Sequence, residues 1–585
     1  MNASARFHAM RHAAVMLLLL LGTASAFAAD AVDVLVDGVE EPLHRNVLLH
    51  LSIEQQKNDP DLTLGRIRAL HARAPNEIRA ALQPFGYYRP QIEAKLVRQD
   101  DSWRAHYRIK PGPQMTITTL DLRISGDGAT DPEFARLRAD APIKQGGPLN
   151  HAQYENTKSA LQNLAVERGY FDAQMPRHDL HIDLDAYTSK IVLHFDTGPR
   201  YRFGPVSFEH MEALREDLLR RYVPFKPGEP FSNTKLLVFQ RALNDSDYFQ
   251  QVEVRPRHDL AEGLEVPVEV RQTLRKPDKY SLGLGYGTDT GMRGKVAWER
   301  RIVNEAGHRF GAEVNVSEIK SAVLARYLVP VGDPRTDKLA FTASWVDDHP
   351  EASDSQTATV GASLTQARGR WRETWSLNYL KEKFRAGSDV GRSTLLVPGA
   401  SWLLMRTDDP IVTHRGYRLQ FDLRGAAEGF ASDVSFLQAR LSGKAIHPVS
   451  DSGRLIARAD AGATSVRHFD DLPASLRFYA GGDRSVRGYD YNTIGSTDAL
   501  GVVIGGKYLV VGSLEYEQRL YEKWSGAVFY DIGNAFNSSS EPYREGAGLG
   551  LRWRSPIGLV RVDMAWALDL PDRPWRFHIV IGPDL

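Results

Sequence analysis

The residues of this chain with the most chemical content are an arginine and two carboxylates near its C-terminal end. The arginine lies in Phe478-Tyr479-Ala480-Gly481-Gly482-Asp483-Arg484-Ser485-Val486-Arg487-Gly488-Tyr489. Glycines 481, 482 and 488 open backbone conformations closed to other residues, so this segment can double back tightly. Downstream come Ser513-Leu514-Glu515-Tyr516 and Phe529-Tyr530-Asp531-Ile532-Gly533, each setting an acid among apolar neighbours. A guanidinium taken out of water needs a charged or carbonyl partner, because an unpaired buried charge is very costly. Its planar fork prefers two-pronged contact with a carboxylate. Arg487 is therefore expected to pair with Glu515 and Asp531, with Glu517 the weaker candidate on the same face. The alternative is that these acids are ordinary water-facing charges. The chemistry on offer is a brace, not a turnover.

Other polar constellations carry less. There is no Gly-x-Ser-x-Gly elbow and no serine-histidine-acid arrangement, so no enzyme is expected. His178 and His181 have a ligand-like spacing but no further ligands, and read as solvated histidines on a polar stretch between strands. Gly283, Gly285, Gly287, Gly291 and Gly294 mimic a phosphate loop, yet no helix follows, so they read as a glycine-rich strand. Asp pairs at 100–101, 347–348, 408–409 and 470–471 fall in expected turns or loops. The chain has no cysteine, hence neither a disulfide framework nor a thiolate metal site. Its net charge of zero argues against a general nucleic-acid binder. No metal or cofactor is expected.

The elements that must position these residues are strands. From about Lys279 the pattern has period two. In Gly558–Trp566, Val560, Val562, Met564 and Trp566 share one face, and Leu559, Arg561, Asp563 and Ala565 the other. Tyr508, Val510, Leu514 and Tyr516 likewise oppose Ser513, Glu515 and Glu517. An apolar stripe against a partly charged one suits lipid outside and a wet lumen inside. Sixteen such strands can be placed between residues 279 and 582, an even number as bacterial barrels require. Trp371, Trp375 and Trp402 fit interfacial girdles. One long insertion, about His468 to Gly506, interrupts the strands and contains the Arg487 segment. The N-terminus reads as an export signal: Arg6 and Arg11, an apolar core from Ala14 to Leu21, and Ala26-Phe27-Ala28 as the cleavage site. This assigns residues 1–28 to the signal, with a retained signal anchor as the alternative.

Between signal and strands, one pattern recurs: strand, helix, helix, strand, strand. Its third copy runs from Phe203-Gly204-Pro205-Val206-Ser207-Phe208 through a stretch with Leu214, Leu218 and Leu219. A helix starting at Ser232 or Asn233 then buries Leu236, Leu237, Phe239 and Leu243. Tyr87, Tyr170 and Tyr248 follow the second helix of each copy at roughly 80-residue intervals, a plausible module size. Gly86 and Gly169 precede the aromatic, as helix ends in the left-handed region require.

These three repeats resemble POTRA domains, and the Arg487 segment resembles the sixth extracellular loop of the BamA/TamA superfamily, whose signature is Val486-Arg487-Gly488-Tyr489 here. With three repeats the resemblance is to the TamA branch, and it spans nearly all of the chain after residue 28. It implies α+β periplasmic repeats (POTRA 1 at 29–113, POTRA 2 at 114–199, POTRA 3 at 200–273), then an all-β, sixteen-stranded antiparallel transmembrane barrel at 274–585. It also implies a bacterial outer-membrane location with the repeats in the periplasm, and a translocation and assembly module that helps outer-membrane proteins, autotransporters especially, to insert. The implied partners are a TamB-like inner-membrane-anchored protein, unfolded outer-membrane clients and outer-membrane lipid. Envelope lipid transport is a variant. A two-partner secretion exporter of the same superfamily, with fewer modules, and a passive porin are the alternatives. One residue departs from the pattern: Pro583 cannot donate to a ladder, so the last strand is expected to form a short, weak seam with the first, able to open sideways.

Overall fold

The computed structural model describes residues 31–99, 102–209, 212–409, 412–555 and 558–581. The export segment 1–28, the Asp100-Asp101 pair and Pro583 lie outside the described residues. The chain divides into two compact units: one takes in the chain through Pro205 with Pro227–Thr234 and Pro256–Pro267, the other Val206–Lys226, Lys235–Arg255 and everything from Val268. Among the described residues no helix is long and apolar enough to cross a membrane.

Each repeat is a three-stranded sheet whose last strand lies in the middle. The first has β1 (Ala31–Asp37), β2 (Gln91–Gln99) and β3 (Ser102–Lys110); the second β4 (Thr116–Ser125), β5 (Gln174–Asp183) and β6 (Thr188–Asp196). The third has β7 (Arg202–Phe208), β8 (Phe249–Pro256) and β9 (Glu265–Leu274). The orders are β1-β3-β2, β4-β6-β5 and β7-β9-β8. The first strand of a repeat runs parallel to the middle one and the second antiparallel, as registered for the first two repeats.

Periodicity decides which face packs. In the first repeat, Thr63 caps the helix Leu64–Leu82 by accepting from the Arg66 N–H. That helix buries Ile67, Leu70, Ala74, Ile78 and Ala81 at three- and four-residue spacing, into one core with Ala105, Tyr107 and Ile109 of β3. In the second, the Asn150 side chain accepts from two backbone N–H groups at the start of His151–Arg168, and Gly169 ends it at φ +81°. Leu161 and Ala165 of that helix pack with Phe195, while Tyr154 packs with Ile191 and Leu193. In the third, the helix Asn233–Asp245 buries Leu236, Phe239 and Leu243. Leu237, expected inside, is 53% exposed: it lies one residue past Leu236, about 100° around the helix and off the buried stripe. His178 and His181 sit within β5 rather than between strands, and Asp347-Asp348 closes a barrel strand rather than forming a turn.

The barrel strands are β10 (Asp278–Gly287), β11 (Gly291–Arg300), β12 (Arg309–Ser317), β13 (Lys320–Pro330), β14 (Lys338–Asp348), β15 (Ser353–Arg368), β16 (Trp371–Ala386) and β17 (Asp389–Thr407). Then come β18 (Gly416–Ala426), β19 (Phe436–Pro448) and β20 (Gly453–Val466). The insertion follows, with a small hairpin of β21 (Ser496–Thr497) and β22 (Val503–Gly505). The rest are β23 (Tyr508–Tyr521), β24 (Trp524–Phe536), β25 (Arg544–Ser555), β26 (Gly558–Ala567) and β27 (Trp575–Ile581). Setting the hairpin aside, they make one sixteen-stranded sheet in sequence order, β20 pairing directly with β23 across the insertion. Alternation sorts the faces: Val510, Leu514, Val528 and Tyr530 are exposed, whereas Leu509, Val511, Phe529 and Asp531 are buried. β10 and β27 are the two ends of the sheet. Among the described residues no ladder joins them. They meet through the Ile579 N–H, which donates to Thr288 Oγ1 at 3.1 Å.

Candidate functional site inside the barrel

The insertion folds into the barrel. Phe478, Ala480, Val486, Tyr489 and Ile494 pack with Leu509, Val511, Ala535 and Ala567 of the wall. Its base is held by Arg477, whose side chain is fully buried. Arg477 pairs with Asp389 at 2.8 Å and donates to the carbonyls of Leu472, Asp470 and Ile504.

At the tip, Arg487 is 5% exposed. Its Nε and Nη2 fork onto Asp531, at 2.7 and 2.9 Å, and its backbone N–H donates to the same carboxylate. Nη1 donates to Glu515 at 2.7 Å and to Asp563 at 3.1 Å, and Nη2 reaches Ser513 Oγ at 3.3 Å. All five guanidinium N–H groups are thereby used. The plane lies over the Phe529 ring, 3.4 Å from its centroid, which adds a cation–π contact. Arg552, 1% exposed, grips the other side of the same acids: two bonds to Glu515 and one to Asp563. Arg458 stands 3.8 Å from Asp531 and donates to the Ser485 carbonyl. Three arginines thus balance three buried carboxylates on β23, β24 and β26.

The site therefore brings together Arg487, Glu515 and Asp531, and seats the neighbours of Arg487 tightly. Val486 is buried, and Tyr489 donates to Asp569 at 3.1 Å. Gly488 has φ +98°, and a Cβ there would stand 2.9 Å from the Trp566 and Ala567 backbone. Glu517, the weaker candidate, is taken by Arg454 at 2.6 Å: two residues further along β23, it faces a different row of the wall. Arg552 and Asp563 complete the cluster, and Arg477 holds the base, without having been singled out from sequence. One signal points to the first two. Gly546, Gly548 and Gly550 alternate on β25, and they form a trough. A Cβ at 546 would meet the Arg487 carbonyl at 2.0 Å, at 548 the Phe529 ring at 2.4 Å, and at 550 Asp563 at 2.0 Å. Alternate glycines on an inner face mark a strand that something else must lie against.

A family model described as Omp85 superfamily domain matches residues 304–584. One described as POTRA domain TamA domain 1 matches residues 33–111, and one described as surface antigen variable number repeat matches 120–198 and 201–272. The C-terminal part of the chain thus matches an Omp85 superfamily domain, and the part before it POTRA-type repeats. The chain is 22% identical over 519 residues to outer membrane protein assembly factor BamA of Neorickettsia risticii, covering 83% of the chain and 68% of that protein. It is 24% identical over 388 residues to BamA of Nitratidesulfovibrio vulgaris, covering 62% of the chain and 48% of that relative. The crystal structure of BamA from Haemophilus ducreyi lacking POTRA domains 1–3 matches with a TM-score of 0.67 at 17% identity, over 80% of this chain and 99% of that one. At that identity the likeness shows the fold: POTRA domains followed by a sixteen-stranded barrel.

Proposed function

We propose that this chain is an Omp85-superfamily protein, the outer-membrane subunit of a translocation and assembly module, of the TamA branch, that helps outer-membrane proteins insert and fold, autotransporters especially. The observation that carries the reading is the insertion tip, folded into the lumen and locked by Arg487 onto Glu515, Asp531 and Asp563. A passive pore has no use for a plug braced by buried charges. The relatives named as assembly factors support the general activity. The first-repeat match to the TamA-type POTRA model supports the branch. In this reading the repeats (29–113, 114–199 and 200–273) lie in the periplasm, and the barrel (274–585) spans the outer membrane. Clients add a strand to a repeat's open sheet edge, where backbone pairing tolerates many sequences. The unladdered junction of β10 and β27 opens sideways to pass them into lipid. The partner is a TamB-like protein anchored in the inner membrane.

The test is Arg487→Ala in an otherwise intact cell. Removing one partner of a buried ion cluster costs about 3–5 kcal/mol, so the insertion loosens while the barrel and repeats stay folded. A census of outer-membrane proteins and surface-displayed passengers then shows their loss. Normal client levels, together with unchanged protection of the insertion from protease, would defeat the proposal.

A further inference from the structure

A second polar cluster lies apart from the Arg487 brace, at the meeting of the sheet's two ends. Asp289 is in the turn between β10 and β11, Asp483 in the insertion, and His578 on β27. His578 Nδ1 and Thr288 Oγ1 both donate to Asp483 Oδ1, at 2.5 and 3.1 Å. The Asp483 N–H donates to Asp289 Oδ2 at 2.8 Å. The Gly488 N–H donates to His578 Nε2 at 2.9 Å. An unbroken chain of bonds therefore runs from the Arg487-Gly488 tip through the last strand to the first hairpin. The other Asp289 oxygen, Oδ1, is buried without a hydrogen-bond partner, 4.0 Å from His578 Nδ1.

The three side chains bring ligand atoms within 4.8 Å of one another, which is metal-like spacing. The histidine argues otherwise. Since Nε2 accepts a backbone N–H, the neutral ring must carry its proton on Nδ1, where no lone pair is left for an ion. What needs compensation is the pair of carboxylates. Arg293, Arg484 and Tyr491 line the same lumenal cavity of about 640 Å³. Asp563, opposite His578 on β26, is committed to Arg487 and Arg552. Among the described residues no cation makes an ion pair with Asp289 other than the 4.0 Å approach of His578. Two acids this close and this buried do not both ionise cheaply.

We propose that Asp289 takes up a proton beside Asp483, and that this proton closes a latch joining the insertion, the first hairpin and the last strand. The proposal deepens the sideways-opening reading and rests on the seam, not on any client. Burial pushes the Asp289 carboxyl up to about 7, and the charge of Asp483 adds to the rise against the pull of the Asp483 N–H. Once the turn swings into water, Asp289 regains the ordinary value of 3.8. The closed state thus binds the proton more tightly. Its advantage is complete below the ordinary value and is lost as pH rises through about 7.

Because the chain has no cysteine, Leu284→Cys on β10 and Phe577→Cys on β27 place a unique spin-label pair on the lipid-facing sides of the junction. Pulsed electron–electron distances in the full-length protein in bilayers are expected to show one short population at pH 5.5. A longer one grows toward pH 8.5, with its midpoint near neutrality. In Asp289→Asn, whose amide donates to Asp483 at any pH, the short population persists throughout. Asp289→Ser, with no charge to repel Asp483, likewise loses the pH response and serves if the amide variant misfolds. Distances that do not move with pH overturn the latch, as does a full pH response surviving in both variants. So does closure at pH 8.5 by added zinc, which would make the cluster an ion site. None of these outcomes touches the assembly reading, which the Arg487→Ala census decides.

Discussion

The cluster around Arg487 works because no member is spare. Each of Glu515, Asp531 and Asp563 takes two or more charged bonds, so removing either arginine strands acids in a dry place. Arg552→Met is therefore expected to destabilise the barrel by about 3–5 kcal/mol, read as a lower thermal unfolding midpoint in detergent. Arg487→Lys should recover little, since an ammonium offers three donors in place of a planar set of five. Protease cleavage within 478–489 is the readout for that variant, and wild-type protection would contradict it. Glu515 and Asp531 were legible because each interrupts an apolar alternation on its own strand. Arg552 was not, because its reach to Glu515 depends on two registers and an offset at once: Glu515 opposite Phe529, Phe529 opposite Gly548, and Arg552 four residues further along β25. A single strand's pattern contains none of those offsets.

At the scale of elements, the glycine trough on β25 and the second repeat make separate predictions. Gly548→Val places branched carbons where the Phe529 ring and the Met564 carbonyl already stand, so the insertion tip should be displaced. Faster hydrogen exchange at Val486–Tyr489, with the repeats unchanged, is the expected result. In the second repeat, Asp131 caps the helix Pro132–Asp140, accepts from Arg168 at 2.6 Å and from the Tyr170 hydroxyl at 3.0 Å. Burial pushes its carboxyl up, but Arg168, the Glu133 N–H and Tyr170 outweigh it and hold it below the usual range. A depressed acid stabilises the fold above its ordinary pKa and loses that contribution as pH falls through the lowered value. Exchange protection of Pro132–Asp140, corrected for intrinsic rates, should therefore fall below about pH 4. Asp131→Asn should show the same loss already at neutral pH. The second helix of each repeat was readable from its apolar spacing and from the aromatic that follows it, with a glycine between in the first two. Leu237 was misplaced because three adjacent apolar residues do not say which of them meets the sheet.

For the molecule as a whole, sixteen strands and three repeats follow from period-two and strand–helix–helix–strand–strand patterns repeated often enough to outweigh local error. The strands that run longest, β15 to β17 at 16, 16 and 19 residues, exceed the ~9–11 needed to cross lipid. Chain beyond the hydrocarbon has no apolar stripe to announce it, so alternation alone does not reach those ends. With the lumen filled by the insertion, single-channel recordings should show small, flickering conductances. Large stable pores in the wild type would point to an open porin. In Arg487→Ala the mean conductance should rise.

The first barrel strand carries one more consequence. In its second half the outer positions Leu282, Leu284 and Tyr286 are apolar, Leu284 to 92% exposure, while the inner positions 283, 285 and 287 are all glycine; Lys279 and Ser281 precede them on that face. Register is fixed by side chains that fit one set of neighbours and no other, and this half of the strand offers the lumen nothing to fit. Against β27, to which no ladder holds it among the described residues, a two-residue shift of this half exchanges glycine for glycine inside and apolar for apolar outside. The second half of β10, carried with its hairpin, is thus the wall's sliding bolt, able to meet β27 in two-residue steps. Replacing Gly283 and Gly285 with valine should jam it in one position.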